Sequence, residues 1–175
     1  MLKVLTIIPT IKEEIEVDQY IPIKIRWVQH DASVEELIYW RTGDIKKSML
    51  EIGISAVSGE IRSLTIVSAD KISFVSEKFP ECDAFESGTP VFDINNWIGK
   101  RTVDDAGLFD VQYFNEKLNM IISENHVIKK VISGRVSFGL DANMGICTIS
   151  VNNLSDDEKF QIKDTLEYII KTKMI

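Results

Sequence analysis

Residues 52–59 read IGISAVSG and residues 138–145 read FGLDANMG, an alignment that sets Gly53 against Gly139, Ala56 against Ala142 and Gly59 against Gly145. Each stretch ends one apolar run, closes on glycine and opens a second run, IRSLTIVS in one case and ICTISVNN in the other. Two such runs joined by a short Gly-closed turn form a β-hairpin. A lone hairpin cannot bury its own apolar face, so a chain that carries one twice is constrained to build its core from two related antiparallel sheet portions.

The remaining pattern is mostly that of strands. Residues 3–10 and 17–28 read as strands, and in the second Ile21, Ile23, Ile25 and Trp27 alternate with Pro22, Lys24, Arg26 and Val28. Pro22 lacks an N–H for the ladder, which points to an edge or a bulge there. The acidic KEEIEVD between these runs reads as a solvated turn, VEELIYW as a short strand or one helical turn, and Arg41-Thr42-Gly43-Asp44 as a turn. Leu50, Ile52 and Ile54, then Leu64 and Ile66, point inward around the first hairpin, and KISFVSE follows as a further strand. After residue 110, runs around Val111 and Tyr113, Leu118 to Ile122 and Val127 to Val131 lead into the second hairpin.

Between these two regions periodicity is lost. Residues 79–110 carry two prolines, three glycines and scattered aromatics, with one strand expected at 90–94. Long ordered excursions of this kind are uncommon and are often functional. Phe79, Phe85, Phe92 and Trp97 either tack it to the core or stand out as recognition anchors. At the other end, Ser155 with Glu158 three residues on forms a capping box, and Asp156 and Asp157 favour the positive end of the same helix. Phe160, Ile162, Leu166, Ile169 and Ile170 supply an apolar stripe for packing on a sheet. The expected fold is α+β: a predominantly antiparallel sheet with a repeated hairpin and a C-terminal helix packed on it. It fills one domain of 175 residues, or two related halves, 1–78 and 109–175, joined by the excursion.

Charge narrows the function. A formal charge of −7 with pI near 4.9 makes nucleic acid a poor partner, because its phosphates call for a basic surface. The N-terminal MLKVLTIIPTIKEE meets proline and two glutamates without a small-residue cleavage site, so a first strand is expected there instead of an export signal. No run is long enough for a membrane span. A cytoplasmic protein with two free thiols, Cys82 and Cys147, is the simplest account of the cysteines.

Catalytic signatures are absent from the sequence. His30 and Asp31 are neighbours on what reads as a strand end and so face opposite ways, and His126 follows Asn125 in a turn. The carboxylates fit no calcium loop, histidine is scarce for a transition metal, and the glycines match no phosphate-binding motif. Neither cofactor nor metal is expected. The surface that remains is the acidic and aromatic part of the excursion, where Glu81, Asp83, Phe85, Glu86 and Trp97 are the candidate contacts for a basic partner protein.

LEIGISAVSGEIRSLTIVSAD, residues 50–70, resembles a pattern found in small bacterial immunity proteins of the contact-dependent or polymorphic-toxin type. The resemblance implies a non-enzymatic protein that neutralises a toxin, frequently a nuclease, by occluding its active site. The alternatives are a hydrolase whose carboxylates converge with His30 or His126, and a structural or small-ligand-binding domain with an internal cavity.

Overall fold

Apolar side chains alternate at 50, 52 and 54 and again at 64 and 66, and the chain folds there as a hairpin of β5 (Met49–Ser55) and β6 (Ile61–Ser68) with Leu50, Ile52, Ile54, Leu64 and Ile66 fully buried. This computed structural model describes residues 1–18, 20–28, 35–75, 82–114 and 116–173. Ahead of the hairpin come β1 (Val4–Ile8), β2 (Glu13–Glu16), β3 (Lys24–Trp27) and β4 (Leu37–Gly43), and β7 (Lys71–Phe74) follows it. The excursion forms β8 (Phe85–Ser87), β9 (Thr89–Phe92) and β10 (Thr102–Ala106). The second half holds β11 (Asp110–Phe114), β12 (Lys117–Ile121), β13 (Lys129–Ser133), β14 (Val136–Leu140), β15 (Ile146–Val151) and the helix α1 (Asp156–Lys173).

The repeat extends far beyond the hairpin. One sheet has the order β10-β4-β5-β6-β3-β2 and the other β7-β11-β12-β15-β14-β13-β8. Each therefore contains a three-stranded meander whose last strand returns to pair with the second strand of a preceding antiparallel hairpin: β4-β5-β6-β3-β2 in one, β13-β14-β15-β12-β11 in the other. Even the irregularities recur, since the ladder slips between Gly53 and Ile54 and again between Gly139 and Leu140. Both meanders gain a parallel flanking strand from the excursion, β10 on β4 and β8 on β13, and the first half lends β7 to β11. One hydrophobic core runs through both sheets, joining Ile25, Trp40 and Ile52 to Met120, Phe138 and Ile149. The result is a mixed α+β fold, mostly antiparallel, with one C-terminal helix packed against the sheets.

The two turns differ by one residue. Residues 55–60 connect Ile54 to its partner Ile61, whereas 141–145 connect Leu140 to Ile146. The left-handed residue in each turn is consequently Gly59 (φ 73°) and Met144 (φ 60°), so Met144 and not Gly145 does the work of Gly59. Its carbonyl is used identically in both: Phe92 N–H donates to Gly59 O at 2.7 Å and Val4 N–H to Met144 O at 2.9 Å. Val4 and Phe92 are themselves partners in the β1–β9 ladder.

Inside the turns, a buried oxygen collects backbone N–H groups that would otherwise be lost. Ser55 Oγ accepts from Val57 and Ser58 and donates to Glu35, whose other oxygen binds Arg62 Nε at 2.8 Å. At the matching position Asp141 accepts from Asn143 and Gly145, both at 2.9 Å, and from Asn125 Nδ2 at 2.7 Å. Burial pushes the Asp141 carboxyl up, but these donors outweigh it and hold the group below its ordinary value.

Several local expectations change. KEEIEVD contributes β2 instead of a turn, because Ile15 packs inward while Glu16 pairs with Arg26 across the ladder and Glu13 accepts the Arg135 N–H. Pro22 precedes β3, which begins at Lys24 and lies between two neighbours, so it needs no edge. Of VEELIYW, Leu37 to Trp40 begin β4, which runs as far as Gly43, while Val34 lies outside the described residues; the turn starts at Asp44, whose carboxylate takes N–H groups from Lys46, Lys47 and Ser48. β13 starts at Lys129, two residues later than expected.

The capping box forms as expected, with Ser155 N–H on Glu158 at 2.7 Å and Glu158 N–H on Ser155 Oγ at 3.2 Å. Ile162 and Leu166 are buried, but Phe160 lies outside the stripe and is 73% exposed. Glu158 also grips Arg135 at 2.8 Å near the start of the helix, Thr165 Oγ1 donates to Asp18 O, and Lys173 reaches Ala69 O and Asp70 at the far end. The helix thereby straps the second half to the first.

Asp141→Ala leaves three donors without their acceptor and is expected to cost about 3 kcal/mol in urea unfolding at pH 7. A carboxyl depressed on folding stabilises above its unfolded value of about 4 and loses that contribution as pH falls through the folded value. The Asp141→Asn protein is therefore expected to show a shallower loss of urea midpoint between pH 5 and pH 2 than the parent, on the order of one proton less in the linkage slope.

Candidate functional site

β8 is one of the two edge strands of the seven-stranded sheet, and all three of its residues are exposed. One backbone edge is occupied: the strand pairs in parallel with β13, Lys130 N–H donates to Ala84 O at 2.9 Å, and Gly88 N–H donates to Ile132 O at 2.9 Å. The other edge meets no strand among the described residues. Phe85 stands on this edge 65% exposed, Asp83 is exposed just ahead of it, and Glu86 is exposed and takes Lys129 Nζ at 2.5 Å. An unpaired strand edge is a template for another chain, and an exposed phenyl ring is a natural anchor for one.

The candidate contacts from the excursion thus separate. Asp83, Phe85 and Glu86 lie together on or beside β8, while Trp97 occupies a single helical turn, Asn95–Trp97, and packs half-buried against the core. Phe92 is fully buried in β9 and tacks the excursion down. Glu81 and Phe79 lie outside the described residues.

Beside β8, the outer face of the same sheet carries a groove of about 640 Å³ whose lining includes Cys82, Lys130, Ser137, Asn119, Ser150 and Thr148. Register explains the composition. Lys130, Gly139, Thr148 and Ile121 form one cross-strand row, and Ile132, Ser137, Ser150, Asn119 and Gln112 the next. The segment 123–128 walls the groove. It is held by Ile122 and Ser123 N–H on Cys147 O, by Ile128 N–H on Leu140 O and by the Asn125–Asp141 bond, and Val127 sits above Gly139, where a Cβ would come within 3.0 Å of its methyl. The strand residues among them, Asn119, Ser137, Thr148 and Ser150, are not singled out by the sequence, because the polar half of a period-two strand looks like any solvated face until the 123–128 wall is in place.

His126 and Glu124 are exposed on this wall. Among the described residues His126 makes no hydrogen bond or ion pair, and no group of three or more His, Cys, Asp or Glu side chains is placed to hold a metal ion. His30 lies outside the described residues. Cys82 and Cys147 are both free thiols; burial pushes the Cys147 thiol up and the Asp141 charge adds to it. No described helix is long and apolar enough to cross a membrane. No protein-family model matches the sequence, and no curated protein matches it either.

Phe85 and Trp97 are told apart by stability. Phe85→Ala is expected to stay within about 0.5 kcal/mol of the parent in urea unfolding, as an exposed side chain should. Trp97→Ala is expected to cost about 2 kcal/mol, as loss of half-buried aromatic packing should.

Proposed function

We propose that the protein is a non-enzymatic binding domain that meets a basic partner protein along the open edge of β8, with Phe85 as the anchor and Asp83 and Glu86 as its charges. The observation that carries this reading is the 65% exposure of Phe85 on a strand edge with no neighbour among the described residues. A partner strand laid along that edge gains main-chain hydrogen bonds, and a pocket for the phenyl ring supplies affinity. The net charge of −7 speeds encounter with a basic surface. A bacterial toxin domain is the particular partner implied by the resemblance of residues 50–70 to immunity proteins. That segment forms β5 and β6, one of two copies of the hairpin, so its pattern is also what this architecture requires of any such chain.

The test is capture of partners by the tagged protein from lysate of its own organism, with salt varied in the wash. One basic partner in stoichiometric amount is expected, bound about 30-fold more weakly by Phe85→Ala and more weakly by Asp83→Asn with Glu86→Gln. Added back in equal amount, the parent protein is expected to silence that partner's activity. A partner held equally well by the Phe85→Ala protein, or none at low salt, contradicts the reading.

A further inference from the structure

We propose that the groove on the outer face of the seven-stranded sheet is a binding site for a small organic anion, its acid group met by Lys117 and its polar body by Asn119 and the hydroxyls of Ser150 and Thr148, with Lys130 at the opposite corner of the groove. This inference stands apart from the β8 edge and does not depend on a protein partner.

Asn119 is the first reason. It is only 8% exposed and lines the groove, yet among the described residues no hydrogen bond engages its carboxamide. Its row neighbour Gln112 has a fully buried Oε1 that is likewise without a partner. A buried amide oxygen left unpaired, as at Gln112, is costly and rare in a folded protein, and the Asn119 carboxamide, open to the groove, keeps its hydrogen-bonding capacity for what enters there. Asn119 offers a donor and an acceptor side by side, which suits a ligand carrying hydroxyl or amide groups.

Charge is the second. Lys117 and Lys130 line the groove, and among the described residues neither forms an ion pair, although Lys71, Lys129, Arg135 and Lys159 on or around the same sheet all do. Among the described residues Glu124 is the one carboxylate in the lining, against Lys117 and Lys130, so these side chains give the groove a positive excess within an acidic protein.

Comparison of the two halves is the third. The shared registers put Lys24 of β3 where β12 has Asn119, and Arg26 where β12 has Ile121. The outer face of the first sheet thus bears charged groups at these positions, two of them paired across the ladder, Arg26 with Glu16 and Arg41 with Asp104. Its counterpart replaces them with neutral hydrogen-bonding groups and leaves its lysines unspent. A volume of about 640 Å³ is in the range of small-molecule sites.

The test is amide NMR titration of the whole ¹⁵N-labelled protein with glucose 6-phosphate, glucuronate, inorganic phosphate and glucose. The sugar acids present a hydroxyl-rich body with either a phosphate or a carboxylate. Saturable shifts of the Asn119 side-chain amide and of the Thr148 and Ser150 backbone amides are expected with one or both sugar acids, about tenfold tighter than with glucose. The acid that binds identifies the anionic group, and inorganic phosphate shows whether that group suffices alone. Lys117→Ala, chosen because its side chain makes no ion pair among the described residues, is expected to weaken binding about fivefold, and Lys130→Ala, at the opposite corner, by about twofold or less. No saturable shift at Asn119 with either sugar acid, or equal binding of glucose, overturns the proposal without recourse to any variant.

Discussion

Two backbone hydrogen bonds, Phe92 N–H to Gly59 O and Val4 N–H to Met144 O, hold the tips of the duplicated hairpins against the β1–β9 pair. Each requires a residue in the left-handed region at one turn position, and each brings its turn to a strand remote in sequence. Since Val4 and Phe92 also pair with one another, the two sheets meet at a single seam that treats both turns alike. The strand exchange of β7, β8 and β10 and the helical strap then close the remaining sides. A buried chain of hydrogen bonds reinforces the closure: Trp27 Nε1 on Ser133 Oγ at 3.0 Å, Ser133 Oγ with Thr89 Oγ1 at 2.9 Å, and Ile11 N–H on Thr89 Oγ1 at 2.9 Å. Such a chain ties the first sheet, the second sheet and the seam together in a low-dielectric interior where each bond matters more.

Duplication constrains the inner faces and leaves the outer ones free to diverge. Inside, Ile25, Ile52 and Leu64 correspond in register to Met120, Phe138 and Ile149, apolar in both halves and fully buried. Outside, the first sheet became a laced ionic surface and the second a neutral polar groove bounded by 123–128. The edges diverged too. β2 and β10 carry carboxylates that are mostly engaged, such as Glu13 with Arg135 and Asp104 with Arg41, whereas β8 presents a bare phenyl ring.

What was legible in the sequence follows from range. The hairpin repeat, the inward alternation of Leu50, Ile52 and Ile54 and the Ser155–Glu158 box depend on neighbours a few residues apart, and each appears in the structure. β2 was hidden because its glutamates look solvated until Arg26 and Arg135 arrive from elsewhere. β8 and β10 were hidden because parallel flanking strands take their register from a distant meander. The one-residue difference between the turns, which moves the left-handed position to Met144, is invisible to an alignment that matches glycine with glycine. Of the candidate contacts, Phe85 stood out as an aromatic in an acidic stretch, but nothing local distinguished it from Phe92, which is buried. The groove was not legible at all, because Asn119, Ser150 and Lys130 converge only through pairing.

The seam between β1 and β9 is part of the cooperative core and not a surface latch. Native-state hydrogen exchange tests it directly at the Val4 and Phe92 amides. Both are expected to exchange only through global unfolding, with the same free energy of opening as the amides of β5 and β14. Exchange of Val4 and Phe92 through a local opening well below the global value, while β5 and β14 remain protected, would contradict it.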